Sequence, residues 1–246
     1  MGQIKEPGNK DYKKLLNFGA LYGFLLLLLV GLIFLNSELF AIKTVSVIGN
    51  QELSTEDIIR IAKLNLYRNI FQVDARKIEE TMLQNPKVAS AKVSCNLPNK
   101  VVIKIRERRA LCLLLFADNM LLIGEDAVVI GVKGENEPIK LPVVTGIELK
   151  KIEFGGVIAN PKFKYALEIL SYADENLFQA LSEIDLRNFQ LYLDLPASHH
   201  TLEVEFGDEN QIEKKMYNLR AILSNTTPAE LSKIDLRSPD FPTYFH

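Results

Sequence analysis

The chain has 246 residues, with 29 lysines and arginines against 31 aspartates and glutamates and a formal net charge of −2. This near balance, with both signs interspersed, excludes a nucleic-acid surface and a polybasic lipid-binding patch, which each need an excess of cations on one face. With 48% hydrophobic residues, the chain is long enough for two small domains with cores of their own.

The first feature along the chain is apolar. From Leu15 to Leu35 there is no charged residue, and positions 25 to 29 are all leucine. At about 1.5 Å of rise per residue this stretch would form a helix roughly 30 Å long, the apolar thickness of a bilayer. Its leucines favour insertion by roughly 3 to 6 kcal/mol in sum. A cleaved signal peptide has a shorter apolar region followed by small residues, and Asn36-Ser37-Glu38-Leu39-Phe40-Ala41 is a poor cleavage site. The stretch therefore points to an uncleaved signal anchor. Lys5, Lys10, Lys13 and Lys14 precede it, whereas among residues 36–55 only Lys43 carries a positive charge. The bias of cations toward the cytoplasm then predicts a cytoplasmic tail at 1–14, a transmembrane helix at 15–35 and an exported remainder. Gly19 and Gly23 have the small-residue spacing that lets a partner span approach closely.

Past the span, Ile42 to Ile48 alternates as a strand does, with Val45 and Val47 on one face, and Gly49-Asn50 closes it. Ser54 with Asp57 three positions on marks a helix start, Leu53 and Ile58 can staple across it, and the helix is expected to end near Leu64. A second helix is expected from Asp74, burying Ala75, Ile78 and Met82, until Asn85-Pro86 stops it. Two strands follow, one carrying Ala91, Val93 and Cys95 on one face and the next Val101, Ile103 and Ile105. Asn96-Leu97-Pro98-Asn99 supplies the turn between them. The order strand, helix, helix, strand, strand predicts a small α+β unit with one sheet under two helices.

These residues resemble a known family. Val45-Ser46-Val47-Ile48-Gly49-Asn50, the Ser54-Thr55-Glu56-Asp57-Ile58 helix start, Asn85-Pro86-Lys87-Val88 before Ala91-Lys92-Val93, Leu97-Pro98-Asn99, and Ile105-Arg106-Glu107-Arg108 look like a POTRA domain. More narrowly, they look like that of the FtsQ/DivIB family of bacterial division proteins. The resemblance covers 41–109 as a POTRA domain and continues more loosely through 110–246 as the family's β domain. An outer-membrane barrel is not indicated, since the remaining chain lacks repeated long amphipathic strands.

In the second domain, short apolar runs from Leu111 to Val132 are broken by Ala117-Asp118-Asn119 and Gly124-Glu125-Asp126, which predicts strands joined by tight turns. A polar loop at Gly134 to Pro138 leads into Leu141-Pro142-Val143-Val144-Thr145-Gly146, similar to a Leu-Pro-x-x-x-Gly stretch of the family. Pro161 suits the first position of a helix in which Phe163, Leu167, Leu170 and Ala173 recur through Glu175. A further helix, Gln211 to Leu223, is expected to bury Ile212, Met216, Leu219 and Leu223. Ile-Asp-Leu-Arg occurs twice, at Ile184 to Arg187 and Ile234 to Arg237, each copy expected to begin a strand after a helix, as repeated helix-to-strand units.

The residues point to no catalytic chemistry. His199 and His200 are neighbours in a turn after Pro196, and adjacent histidines on a strand point apart, so no metal pair is indicated. There is no G-x-S-x-G elbow, P-loop or H-E-x-x-H, and no serine–lysine spacing of penicillin-binding enzymes. Glu79-Glu80 and Glu203 with Glu205 are expected on solvated faces. Cys95 and Cys112, the two cysteines, could be joined in an exported chain or could be two small buried thiols.

What the resemblance implies is a non-enzymatic, membrane-anchored scaffold of the divisome at the division septum, without cofactors. It would dock FtsB/DivIC-like and FtsL-like single-span proteins and reach septal peptidoglycan synthases indirectly. In the family the end of the β domain is the docking edge, which maps here to Ile234, Asp235, Leu236, Arg237, Ser238, Asp240, Phe241, Tyr244 and Phe245. A terminal strand offers unpaired backbone groups to an extended partner. Arg237 could meet an acidic partner, and Phe241, Tyr244 and Phe245 suit interface anchors. Pro239 and Pro242 interrupt this segment and are expected to shorten or shift the docking strand. Two other readings remain: an extracytoplasmic sensor or binding module, for which the short tail offers no output domain, and a signal-anchored hydrolase, which would need a pocket of converging ionisable groups.

Overall fold

The computed structural model describes residues 9–117, 119–134, 140–149, 151–195, 200–227 and 230–245, with side chains from Gly19 onward. Residues 1–8 of the expected tail, Asp118, residues 135–138 of the expected polar loop, the Pro196 turn with His199, and His246 lie outside the described residues. The chain divides into two compact units, 1–82 with 91–105, and 83–90 with 106–246.

The first unit opens with helix α1 (Asn9–Leu35), which starts before the leucine run. Its large apolar side chains from Leu21 to Leu35 stand exposed. Among the described residues no helix is long and apolar enough to cross a membrane. After the helix come β1 (Thr44–Ile48), α2 (Thr55–Ile61), α3 (Ala75–Leu83), β2 (Val88–Asn96) and β3 (Lys100–Glu107). The sheet order is β1-β3-β2, with β1 parallel to β3 and Val45 and Val47 opposite Val101 and Ile103.

The local causes are legible. Ser54 Oγ accepts the Asp57 amide at 3.1 Å and donates to its carboxylate at 2.7 Å, which satisfies the open start of α2. Asp74 does the same for α3 by accepting the Lys77 amide at 3.1 Å. Helix α2 ends at Ile61, earlier than expected, because Lys63 takes a φ of 49°, outside the helical region. Ile58, Ala62, Met82, Val93, Val101, Ile103 and Ile105 are buried as the core of this unit. Cys95, expected on the buried face of β2, is exposed. It sits among exposed Ser94 and Asn96 beside the hairpin turn, where burial along the strand has ended.

The second unit holds β4 (Ala110–Phe116), β5 (Asn119–Gly124), β6 (Val129–Val132), β7 (Val143–Thr145), α4 (Pro161–Tyr172), α5 (Glu175–Ala180), β8 (Leu181–Asp185), β9 (Gln190–Asp194), β10 (Thr201–Glu205), α6 (Ile212–Asn225), β11 (Lys233–Asp235) and β12 (Thr243–Phe245). Among the described residues these strands form one sheet in the order β12-β11-β10-β9-β8-β7-β4-β5-β6. Phe163, Ala166, Ile169 and Leu170 of α4 and Ile212, Met216 and Leu219 of α6 are buried in the same core as Leu114, Val144, Ile184, Leu193 and Val204 of the strands. Each of these side chains other than Ala166 contributes roughly 1.5 to 3 kcal/mol by leaving water.

Asn160 caps α4 by accepting the Lys162 amide at 2.9 Å, with Pro161 at the first helical position. The expected single helix through Glu175 is instead two, since Ala173 leaves the helical region and Asp174 caps α5 by accepting the Leu177 amide at 2.9 Å.

The two Ile-Asp-Leu-Arg copies do belong to repeated units, but each ends its strand instead of beginning it. Strand β7 runs parallel to β8 with α4 and α5 between them in sequence, and β9 returns antiparallel. In the same way β10 runs parallel to β11 across α6, and β12 returns antiparallel. The aspartate of each copy stops the strand by accepting the amide of the arginine two residues on, at 2.8 Å in the first and 3.0 Å in the second.

Candidate docking edge

Among the described residues strand β12 stands at one end of the sheet, next to β11, with Ile234 opposite Tyr244 and Lys233 opposite Phe245. All three of its residues are exposed, and Phe241 just before it is 80% exposed. The turn that delivers β12 is held on α6. The Asn218 side-chain amide donates to Pro239 O at 2.7 Å, Lys214 forms an ion pair with Asp240, and the Phe241 amide donates to Ser238 O at 3.0 Å. Pro239 and Pro242 thus both fall in this turn, outside β12, and neither removes a donor from its ladder. The strand is nevertheless short.

The structure separates the expected contact residues into two sets. Ser238, Asp240, Phe241, Tyr244 and Phe245 are exposed in the turn and on β12. Ile234 and Leu236, by contrast, are wholly buried, and β11 has strands on both sides, so neither their side chains nor that backbone can meet a partner. Their alternation about Asp235 is the signal of a buried face.

Arg237 and Asp235 are also occupied. The Arg237 guanidinium bonds the Asp235 carboxylate at 2.6 Å and lies 3.2 Å from the Glu205 carboxylate on β10. The hydrogen bond from Arg237 holds the Asp235 carboxyl below its ordinary range, and the two acids raise Arg237 further. Beside them Lys233 bonds Glu205 at 2.6 Å, and that bond raises its own pKa. An acidic partner would therefore have to displace bonds already made within the chain. The sequence marks Glu205 only as a carboxylate on a solvated face and does not mark Lys214 or Asn218, because their roles depend on strand register and on the packing of a remote turn.

Elsewhere the polar groups serve the fold. Glu79 accepts the Val93 backbone amide at 2.7 Å and Glu203 accepts from the Gln190 side-chain amide at 2.7 Å, so these carboxylates do not simply face water. His200 Nε2 lies 2.6 Å from Leu231 O. Among the described residues no group of three or more His, Cys, Asp or Glu could hold a metal ion. Three cavities, bordered by Glu153, by Asp74 and by Asp208, each carry a single carboxylate. Both cysteines are free, Cys95 exposed and Cys112 buried. Gly19 and Gly23 lie on an exposed part of α1 with open space where a Cβ would stand.

A β-α-α-β-β unit with its first strand parallel to its last, followed by a mixed β-rich unit whose sheet ends in β12 on one side and β6 on the other, defines a protein with a POTRA domain and a second, β-rich domain. Residues 40–108 match the FtsQ-type POTRA domain, and residues 115–237 match the C-terminal region of cell division protein FtsQ/DivIB. The chain belongs to the FtsQ/DivIB family of cell division proteins. It is 28% identical over 191 residues to cell division protein DivIB of Clostridium tetani (strain Massachusetts / E88), covering 75% of this chain and 70% of that one. It is 26% identical over 243 residues to DivIB of Clostridium botulinum (strain Hall), covering 96% and 93%. It is also 32% identical over 114 residues to DivIB of Bacillus subtilis (strain 168), covering 46% and 42%. The C-terminal family match ends at Arg237, so the turn and β12 lie beyond it.

Proposed function

We propose that the protein is a non-enzymatic scaffold of the divisome, anchored by one membrane span, with 41–109 and 110–246 as successive extracytoplasmic docking domains. The span is 15–35, the tail 1–14 is cytoplasmic, and the protein works at the division septum. The exposed apolar side chains from Leu21 to Leu35 support an anchor, since such a surface is stable in lipid and costly in water. Gly19 and Gly23 lie where a partner's span could pack.

The observation that carries the docking role is the open edge of β12, whose exposed Tyr244 and Phe245 flank a backbone with one sheet neighbour. An FtsB/DivIC-like partner adds a strand there, an FtsL-like partner joins through it, and septal peptidoglycan synthases are reached indirectly. Positioning is the whole mechanism: two proteins anchored in one membrane meet at a raised effective concentration, so modest contacts suffice.

Depletion in the native host with imaging, paired with photo-cross-linking from position 244, tests this reading. Filaments without septa and a cross-link to a small single-span coiled-coil protein are expected. Normal septation on depletion removes the divisome role, and a silent position 244 in dividing cells removes the edge as the docking site.

A further inference from the structure

We infer that the loop 64–71 of the POTRA domain lies on the outer surface of the membrane and inserts its apolar side chains among the lipid headgroups. This rests on the proposed span at 15–35 and goes beyond it, since a span needs no contact between its domain and lipid.

The loop is fastened to the end of the helix. The Asn69 side-chain amide donates to Leu35 O at 2.6 Å, at the last residue of α1. Phe40 meets Phe34 of the helix edge to face and Phe71 of the loop at a tilt, with ring centroids 5.4 and 5.0 Å apart. Backbone bonds complete the joint: Ile42 N donates to Arg68 O and Tyr67 N donates to Ile42 O, each at 2.9 Å, and Ala41 bridges Asn69. The segment leaving the helix and the loop therefore move together, and the loop cannot swing away from the helix end.

The same loop exposes what a water-facing loop avoids. Leu66, Tyr67 and Phe71 are exposed, as is Leu39 in the turn after the helix, and Tyr67 is 78% exposed. Leu39 follows α1 within four residues, Phe71 is joined to Phe34 of the helix through Phe40, and Tyr67 is bonded to Ile42, so the exposed apolar surface of α1 continues onto the domain. Exposed apolar groups that adjoin a lipid-facing surface are best satisfied by the same solvent. Aromatic rings with a polar edge favour the headgroup level. Arg68 and Lys43, both exposed at the joint, can reach lipid phosphates while their stems stay in the apolar layer. The consequence is a POTRA domain held at a fixed tilt to the membrane.

The chain contains no tryptophan, so a single introduced one reports its own surroundings. The full chain is reconstituted in phosphatidylcholine–phosphatidylglycerol vesicles carrying brominated acyl chains, as Tyr67→Trp, with Leu66→Trp as a second probe of the loop. Phe24→Trp probes the span and Phe154→Trp, exposed in the second unit, probes water. The expected result is blue-shifted emission at 67 and 66, quenched by bromines close to the headgroups, while 24 is quenched by deep bromines and 154 by none. Deep quenching at 24 with 67 and 66 behaving like 154 overturns the membrane contact and leaves the anchor standing. Loss of quenching at 24, with protein that no longer floats with the vesicles, overturns the anchor and this inference with it.

Discussion

Asp185 and Asp235 end strands β8 and β11 in the same way, each carboxylate accepting the amide of the arginine two residues on. The leucine between, Leu186 or Leu236, is fully buried in both, and each arginine turns back on its aspartate. A left-handed glycine stands beside each corner: Gly146 after β7 at a φ of 80° and Gly207 after β10 at 85°. The two corners are thus the same device built twice, once inside the sheet and once next to its open edge.

The surroundings of the two glycines predict unequal costs. A Cβ on Gly146 would fall 2.4 Å from an Asp185 oxygen and 2.5 Å from the Arg187 backbone nitrogen, which cannot yield. On Gly207 it would meet Arg237 Cγ at 2.7 Å, with Cβ and Cα at 3.2 and 3.3 Å, so one side-chain carbon must give and the backbone atom is less crowded than at Gly146. Both alanines carry the left-handed strain of roughly 1 to 2 kcal/mol, and Gly146→Ala adds an overpacking cost of roughly 1 to 3 kcal/mol. Denaturant melts should rank Gly146→Ala clearly below Gly207→Ala; equal losses would mean that the corners are not built as described.

Local signals in the sequence carried much of this fold. Ser54 and Pro161 mark helix starts because a cap and a donor-less first residue are properties of one turn of chain. Asp174 was an equally local signal for α5, hidden because apolar spacing ran past it to Glu175. Ile-Asp-Leu-Arg, with a helix before each copy, reads as the start of a strand, yet its aspartate turns the chain. What could not be read is register: Glu205 meets Arg237 because β10 pairs β11 with Glu205 opposite Asp235, and Asn218 meets Pro239 across 21 residues.

Ser54 predicts a local loss. Removing its hydroxyl leaves the Asp57 amide without the capping oxygen, at a cost of about 1 kcal/mol. In Ser54→Ala, amide exchange within α2 should quicken roughly fivefold, while exchange in β8 to β11 stays unchanged. A global acceleration would contradict a purely local cap.

The thiols should differ in reactivity. Burial pushes Cys112 up to about 12, so it is protonated and shielded, whereas Cys95 is raised by partial burial but remains reachable. In the folded protein at mildly alkaline pH a maleimide should label Cys95, with Cys112 at least roughly a hundredfold slower until denaturant is added. Two fast sites, or none, would refute these environments.

Lys215 gives a prediction with a defined pH window. It is 1% exposed at the side chain, and its ammonium donates to Asp208 Oδ1 at 2.6 Å and Asp208 O at 3.1 Å and lies 5.1 Å from the Phe206 ring centre. The hydrogen bond from Lys215, followed by that from Asn210, holds Asp208 down at about 2. A carboxyl lowered on folding stabilises the fold fully above its unfolded value of about 3.9, and the contribution disappears as pH falls through its folded value. Asp208→Asn should therefore be less stable than the parent at pH 6. The gap should narrow from about pH 4 downward and close near pH 2. Asp208→Ala, which strips the buried ammonium of its anionic partner, should cost less than the about 3 to 5 kcal/mol of a fully buried pair, since half of the Asp208 side chain is in water. Urea midpoints for the parent and both variants across this range measure each point. A gap independent of pH would show that the carboxylate charge contributes nothing to holding α6 in place.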